Sequence, residues 1–349
     1  QAKTAGNLEV HFIDVGQGDA TLIKCDGHSM LIDAGNNDKG TLVQNYLQHQ
    51  GVETLDYVIG THPDADHIGG MDVVLYKFDC KTIIMPDVAN NTRTYDDVVQ
   101  TMKNKGYKTT YPVVGETYTI GGAAFTIIAP NKEYGNDMNS WSVGVLLQNG
   151  NHRFLFTGDA EEGAEQDILQ NGIDISADVY KVAHHGSNTA TSQAFLDAVH
   201  PTYAVISAGE GNSYGHPHAE VLNRLRAAGV SVFRTDEQGT IVAASDGTTL
   251  TWNMSPSESW QAGEAKKSQD TDKSEKSTDS QNNAETDAAV GNPTDQTDGN
   301  SDVIVHITKT GEKYHSAGCQ YLRQSDIEVT LSEAKARGLT PCSKCNPPQ

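Results

Sequence analysis

Between residues 8 and 252, runs of β-branched and aliphatic side chains alternate with amphipathic stretches. Apolar runs and period-two alternation predict strands at 8–13, 19–25, 29–33, 55–61, 82–85, 124–129, 142–148, 153–157, 177–183, 203–207, 230–235 and 240–244. Apolar positions three and four apart predict helices at 39–50, 70–78, 94–105, 160–171, 190–199 and 217–228. Several of these stop at a glycine, as at Gly51, Gly106, Gly172 and Gly229. Early hairpin strands followed by strand–helix alternation predict a large α/β domain whose sheets are covered by helices.

The pattern breaks at residue 257. Through residue 300 the only large apolar side chains are Trp260 and Val290, too few to offset the entropy of ordering the segment. Three parts are therefore expected: a domain at 1–256, a disordered acidic linker at 257–300, and a small tail at 301–349. Of the formal net charge of -21, the first part carries -16, the linker -6 and the tail +1. A body this acidic excludes a protein that coats DNA through general basicity. No apolar run approaches the roughly 18 residues that a membrane-spanning helix requires. The start at Gln1 and the serine- and aspartate-rich tether lead to the expectation of an extracellular or cell-surface bacterial protein whose signal or anchor has been removed.

The densest chemistry follows the strand LDYVIG: Thr61-His62-Pro63-Asp64-Ala65-Asp66-His67-Ile68-Gly69-Gly70. His62, Asp64, Asp66 and His67 are four potential ligands within six residues at a strand end. In an extended segment 62, 64 and 66 share a side, which would gather donors around adjacent metal ions. The bland alternative, a polar turn with a satisfied histidine, suits an isolated His-Asp pair better than this cluster.

This motif resembles the H-x-H-x-D-H signature of the metallo-β-lactamase-fold hydrolases. Further segments agree in order: Asp14-Val15-Gly16-Gln17-Gly18-Asp19, Leu31-Ile32-Asp33-Ala34-Gly35, Phe156-Thr157-Gly158-Asp159, His184-His185-Gly186-Ser187 and Gly215-His216-Pro217-His218. The combination, spanning roughly 8–252, is similar to the ComEC-like branch that includes the hydrolase domain of a DNA-uptake protein. The resemblance implies an αββα sandwich. It makes Asp159 the carboxylate bridging two divalent ions, with Asp66, His67 and His185 completing one site and His62 and Asp64 beginning the other. Asp64 stands where the signature has its second histidine, and the usual third imidazole is missing near Asn139-Ser140-Trp141-Ser142. Carboxylate in place of imidazole shifts preference from Zn²⁺ toward Mn²⁺ or Mg²⁺.

Two such ions would activate a water and neutralise charge on an attacked phosphorus, with metal-bound hydroxide as nucleophile and Asp66 orienting it. His184 is a candidate to hold a phosphate or protonate the leaving oxygen. His216 and His218 are further catalytic candidates, set against the alternative that they cap or pack the following helix. Ser187 reads as a helix cap rather than a nucleophile. Asp14, Asp19 and Asp33 flank glycine turns and are expected to bond backbone groups, or to support the ligands from behind.

In the tail, His315, Cys319, Cys342 and Cys345 form H-x3-C…C-x2-C, a pattern suited to tetrahedral Zn²⁺, with a short helix expected at 331–337. The tail resembles the metal-binding domain of the Ada DNA-repair protein, with His315 in place of the first cysteine. A structural zinc would stabilise so small a core. Cys25 and Cys80 read equally as buried thiols or one disulfide. The expectation for function is metal-dependent cleavage of phosphodiester bonds in DNA or another nucleic acid. The alternatives are a phosphoesterase acting on phosphorylcholine or a cell-wall polymer, and a non-catalytic DNA- or wall-binding protein.

Overall fold

The structure, a computed structural model, describes residues 5–263 and, beyond them, 304–308, 313–316, 322, 327–336, 339–342 and 344–345. The chain divides into two units, Gln1–Thr271 and Asp272–Gln349.

In the first unit β1 (Leu8–Phe12), β2 (Thr21–Cys25) and β3 (His28–Ile32) are followed by α1 (Gly40–His49), β4 (Thr54–Ile59) and the single turn α2 (Ala65–Ile68). Next come α3 (Met71–Lys77), β5 (Asp79–Ile84), α4 (Arg93–Lys105) and the two-residue β6 (Thr109–Thr110). Then follow β7 (Thr117–Ile120), β8 (Ala123–Ala129), β9 (Gly144–Asn149), β10 (His152–Phe156), α5 (Glu162–Gln170) and β11 (Val179–Lys181). The unit closes with α6 (Gln193–Val199), β12 (Tyr203–Ile206), α7 (Ala219–Ala227), β13 (Ser231–Arg234), α8 (Thr235–Gln238), β14 (Ile241–Ser245) and β15 (Leu250–Trp252).

The strands form two mixed sheets, ordered β15-β14-β1-β2-β3-β4-β5-β6 and β13-β12-β11-β10-β9-β8-β7. One apolar layer, including Phe12, Ile23, Phe125, Phe154 and Phe156, joins strands of both sheets. A second packs α1, α3 and α4 on the first sheet through Val43, Leu47, Val74 and Val98. A third packs α5, α6 and α7 on the other through Ile168, Phe195 and Leu222. The architecture is the expected αββα sandwich, and strands buried on both faces read as continuous apolar runs for this reason.

Each expected strand and helix of the body is present, with shifted ends. The strand expected at 177–183 stops at Lys181 because His184 and His185 take left-handed backbone angles (φ 50° and 54°). The helix expected from 190 starts at Gln193, where the Ser192 side chain accepts from Phe195 N–H. The metal-motif segment is not extended as expected. Asp64 keeps β angles, but Ala65–Ile68 coils into α2, so Asp66 and His67 are delivered from a helical turn.

The first unit also runs past 256. Ser257 N–H donates to Val232 O, Trp260 packs on the outer layer of the second sheet with the Arg226 guanidinium over its ring, and Gly263 N–H donates to Pro217 O. The part of the expected linker from 264 to 300 lies outside the described residues.

In the second unit β16 (Ile304–Ile307), β17 (Lys313–His315), β18 (Ile327–Thr330), α9 (Leu331–Ala336) and β19 (Thr340–Pro341) form a sheet ordered β18-β16-β17-β19 beside one helix. Val305, Ile307, Tyr314, Val329, Leu331 and Ala334 form a core of its own.

Candidate metal centre

Strand ends and the loops after them bring the candidate ligands together. β4 runs into His62; the loop between β1 and β2 supplies Asp19, the end of β3 supplies Asp33, the end of β10 supplies Asp159, and the end of β11 supplies His184 and His185. The α2 turn is tied in place by backbone bonds: Asp19 N–H donates to Asp66 O (3.0 Å) and Ala34 N–H to His67 O (2.7 Å). Gly18 makes this approach feasible, since a Cβ there would lie 2.4 Å from Asp66 O and its φ is 137°.

Hydrogen bonds fix which nitrogen of each imidazole faces the centre. His67 Nδ1 lies 2.8 Å from Asp33 Oδ2, a proton donation that leaves Nε2 as a lone pair. His185 Nδ1 donates to Ser207 O at 3.0 Å. Thr61 Oγ1 gives its proton to Asp33 Oδ2 (2.7 Å), so it accepts from His62 Nδ1 (3.2 Å). In the neutral form of each ring, an Nε2 lone pair is thus turned inward. His67 Nε2 is 3.4 Å from His185 Nε2 and 3.2 Å from Asp159 Oδ1, and His185 Nε2 is 3.2 Å from Asp66 Oδ2 and 3.4 Å from Asp159 Oδ2. His62 Nε2, 3.8 Å from Asp64 Oδ2, is fully buried without a hydrogen bond among the described residues, as is Asp159 Oδ1.

Acceptors facing acceptors in a buried space are costly unless positive charge lies between them. Burial opposes charge on His67 and His185, yet Asp159 with Asp33 or Asp19 outweighs it and raises both imidazoles well above their ordinary range. Although burial works against it, His185 and His67 hold the Asp66 carboxyl down at about 2. His62 differs: burial, reinforced by neighbouring His67, pushes it down to about 3, the neutral form a ligand needs. Donor chemistry and orphaned atoms together fit divalent metal. One atom each from Asp19, His67, Asp159 and His185 fall within 4.8 Å of one another.

Asp19 thus reaches the centre rather than only a backbone group. Its Oδ1 lies 3.3 Å from His185 Nδ1, and its Oδ2 pairs at 2.8 Å with Lys181, a lysine buried in β11. Ser142 stands near the missing imidazole: its Oγ is 3.3 Å from His62 Nδ1 and accepts from Asp159 N–H (3.0 Å). The sequence had offered Asp19, a carboxylate closing the glycine turn Gly16-Gln17-Gly18, as a support for the ligands and Ser142 as part of the segment lacking an imidazole, and both lie beside the candidate ligands.

Above the cluster opens a pocket of about 170 Å³ lined by Gln17, Asp64, Asp66, Asn139, Asp159, His184, His185, Tyr214 and His216. His184 Nε2 is 3.7 Å from Asp159 Oδ2, and its Nδ1 is held by Thr189 Oγ1 (3.1 Å) and Glu161 Oε1 (3.3 Å). His216 stacks on His185, and burial pushes it down to about 4. His218 does not line the pocket. Its Nδ1 accepts from Asn188 N–H and its Nε2 donates to Tyr214 O, so it clips two loops together, and its side chain does not cap α7.

A family model described as the metallo-beta-lactamase superfamily matches residues 13–210. The chain belongs to the metallo-beta-lactamase superfamily, whose members are generally hydrolases. Among curated members it is 31% identical over 255 residues to ComE operon protein 3 of Bacillus subtilis, covering 67% of this chain and 32% of that protein. It is 33% identical over 238 residues to Recombination protein 2 of Haemophilus influenzae, covering 67% of this chain and 28% of that one. The chain therefore spans about a third of the length of these relatives. A solved metallo-beta-lactamase fold protein, YhfI of Bacillus subtilis, is 13% identical with a TM-score of 0.47, covering 71% of this chain and all of that one.

In the second unit, one ligand atom each from His315, Cys342 and Cys345 lie within 4.8 Å of one another. Ser316 N–H points to Cys345 Sγ at 3.4 Å and Lys344 N–H to Cys342 Sγ at 3.5 Å, the donors a thiolate favours. Cys319 lies outside the described residues. Cys25 and Cys80 are separate buried thiols in β2 and β5, and burial pushes Cys80 up to about 12.

Proposed function

We propose that the first unit is a metal-dependent phosphodiesterase acting on DNA, with His62, Asp64, Asp66, His67, Asp159 and His185 holding two divalent ions. The observation that carries this reading is the convergence of inward lone pairs, two of them orphaned, beneath an open pocket. When bound, the ions supply Lewis acidity and lower the pKa of water. The chain's own groups do the rest. Asp33, Ser207 and Thr61 lock the imidazole tautomers, so no ligand must reorient as charge develops. Asp66, one of the three candidate ligand carboxylates that line the pocket, orients the attacking water. His184, steadied by Thr189 and Glu161, passes a proton to the leaving oxygen. His216, neutral near pH 7, and Gln17 are placed to hydrogen-bond substrate oxygens.

A phosphodiester rather than a lactam is favoured by the acidic ligand set, with Asp64 and Ser142 where imidazoles would otherwise stand. The same substitution favours Mn²⁺ at least as much as Zn²⁺. DNA is favoured by relatives named for competence and recombination. The second unit would hold a structural Zn²⁺ and assist capture, and the whole would sit outside the cell or on its surface. The test is cleavage of labelled single-stranded DNA by wild type, Asp66→Ala and Asp159→Ala under Mn²⁺, Zn²⁺ or chelator. Activity in wild type alone, with metal alone, supports the proposal. Activity surviving both substitutions, or its absence under either metal, overturns it.

A further inference from the structure

We infer that Tyr214 is a platform on which an unpaired nucleobase stacks beside the scissile phosphate, so that the substrate is a single-stranded polynucleotide. The inference rests on the phosphodiesterase reading and names its substrate class.

Tyr214 is 64% exposed, and of the pocket-lining residues it is the large apolar side chain left in solvent. Its ring lies 5.5 Å from that of His216 at 18°, and His216 lies 6.0 Å from His185 at 27°. Three near-parallel rings thus step from the surface to a metal ligand. The outermost ring, at the rim of the pocket, offers its face to one more planar group.

The platform is held firmly. The Asn212 side chain accepts from Tyr214 N–H and His216 N–H and donates to Gly209 O and His216 O. Gln17 accepts from Gly209 N–H, and His218 donates to Tyr214 O. From outside, Gly263 lies so close to His216 O that a Cβ there would clash at 2.1 Å. An exposed ring on so constrained a loop is pre-organised, so little ordering entropy is lost when a planar group stacks on it.

Charge points the same way. The pocket is lined by Asp64, Asp66 and Asp159 with neither lysine nor arginine among its lining residues, and residues 1–256 carry -16. Phosphates away from the metal ions would find little to grip, so grip must come from an uncharged contact. Stacking on an aromatic face is sequence-tolerant and needs a base free of its duplex. A quaternary ammonium headgroup would instead want several ring faces enclosing it, and Tyr214 offers one.

The experiment compares wild type, Tyr214→Ala and Tyr214→Phe in the full chain with Mn²⁺. Cleavage is measured on a single-stranded oligonucleotide, on the same strand carrying abasic residues, and on nitrophenyl phosphorylcholine; binding of the oligonucleotide is followed by anisotropy. Expected is a rise of about 10-fold or more in KM and Kd on Tyr214→Ala, restoration by Tyr214→Phe, and a similar penalty for wild type on the abasic strand. Melting curves should coincide, since an exposed ring is removed. Wild-type affinity and turnover in Tyr214→Ala would overturn the stacking while leaving hydrolysis standing, and so would a loss confined to the phosphorylcholine substrate. Tyrosine-dependent binding without cleavage would instead remove the hydrolysis reading and keep the stacking. No binding of the strand by wild type would overturn the inference.

Discussion

Asp33 shows how much of the centre is built by residues that hold ligands rather than serve as ligands. It is buried in a left-handed conformation (φ 58°), which non-glycine residues adopt only where surroundings enforce it, and it serves Thr61 N–H, Thr61 Oγ1 and His67 Nδ1 at once. Asp33→Ala frees the His67 ring and the Thr61 proton, and through Thr61 loosens His62. Metal affinity should fall about 10- to 100-fold by equilibrium dialysis, with the fold retained by circular dichroism. Unchanged affinity would mean that the ring is held by packing alone. Lys181 serves Asp19 from the opposite side, and both are buried. Lys181→Met strands a buried carboxylate and should cost about 3 kcal/mol or more in metal-free urea denaturation. The candidate ligands were legible because His62, Asp64, Asp66 and His67 crowd into six residues and because Asp159 and His185 sit in motifs that carry the family resemblance. Lys181 was not, and Asp19 and Ser142 were legible only as a turn carboxylate or support and as part of the segment lacking an imidazole, because contacts such as that between residues 62 and 142 join positions that the chain order keeps apart.

At the scale of elements, legibility followed length and burial. β1 to β5 and β8 to β14 were visible because each carries enough apolar residues to show a period. β6, β7 and β15 were missed because two to four residues at a sheet edge are too short to show a period, and α2 and α8 because one turn is shorter than the helical repeat. The contact between α5 and α6 was equally hidden: buried Glu165 accepts from Thr191 N–H (2.5 Å) and Ser192 N–H (2.9 Å) ahead of α6. Burial raises the Glu165 carboxyl above its ordinary 4.5, more than these N–H donors lower it. With the folded value above the unfolded one, the native state holds the proton more tightly. Stability linked to this group is therefore full below about pH 4.5 and is lost as pH rises through the raised value. The stability of wild type relative to Glu165→Gln should accordingly fall between pH 4 and pH 7 in thermal melts. A difference independent of pH would show that Glu165 is not desolvated.

At the scale of the whole molecule, two separate cores imply two separable metal dependences. The body's layers are built from residues 8–262, whereas the tail's core is built from 305–339 and shares no residue with them. Sites on independent cores should load and fail additively. The expected content by mass spectrometry is about three metals per full chain, two in the body and one in the tail. Asp159→Asn should remove the first two and leave the third; Cys342→Ser with Cys345→Ser should remove the third alone. The tail core is small, so a metal bound by His315, Cys342 and Cys345 would supply much of its stability. Its double substitution should thus abolish protection of 304–342 against proteolysis while the body's melting temperature stays where it was. A tail that remains protected without its thiols would mean that the six-residue apolar cluster around Tyr314 suffices, and the third metal would then have to act on a ligand rather than on folding.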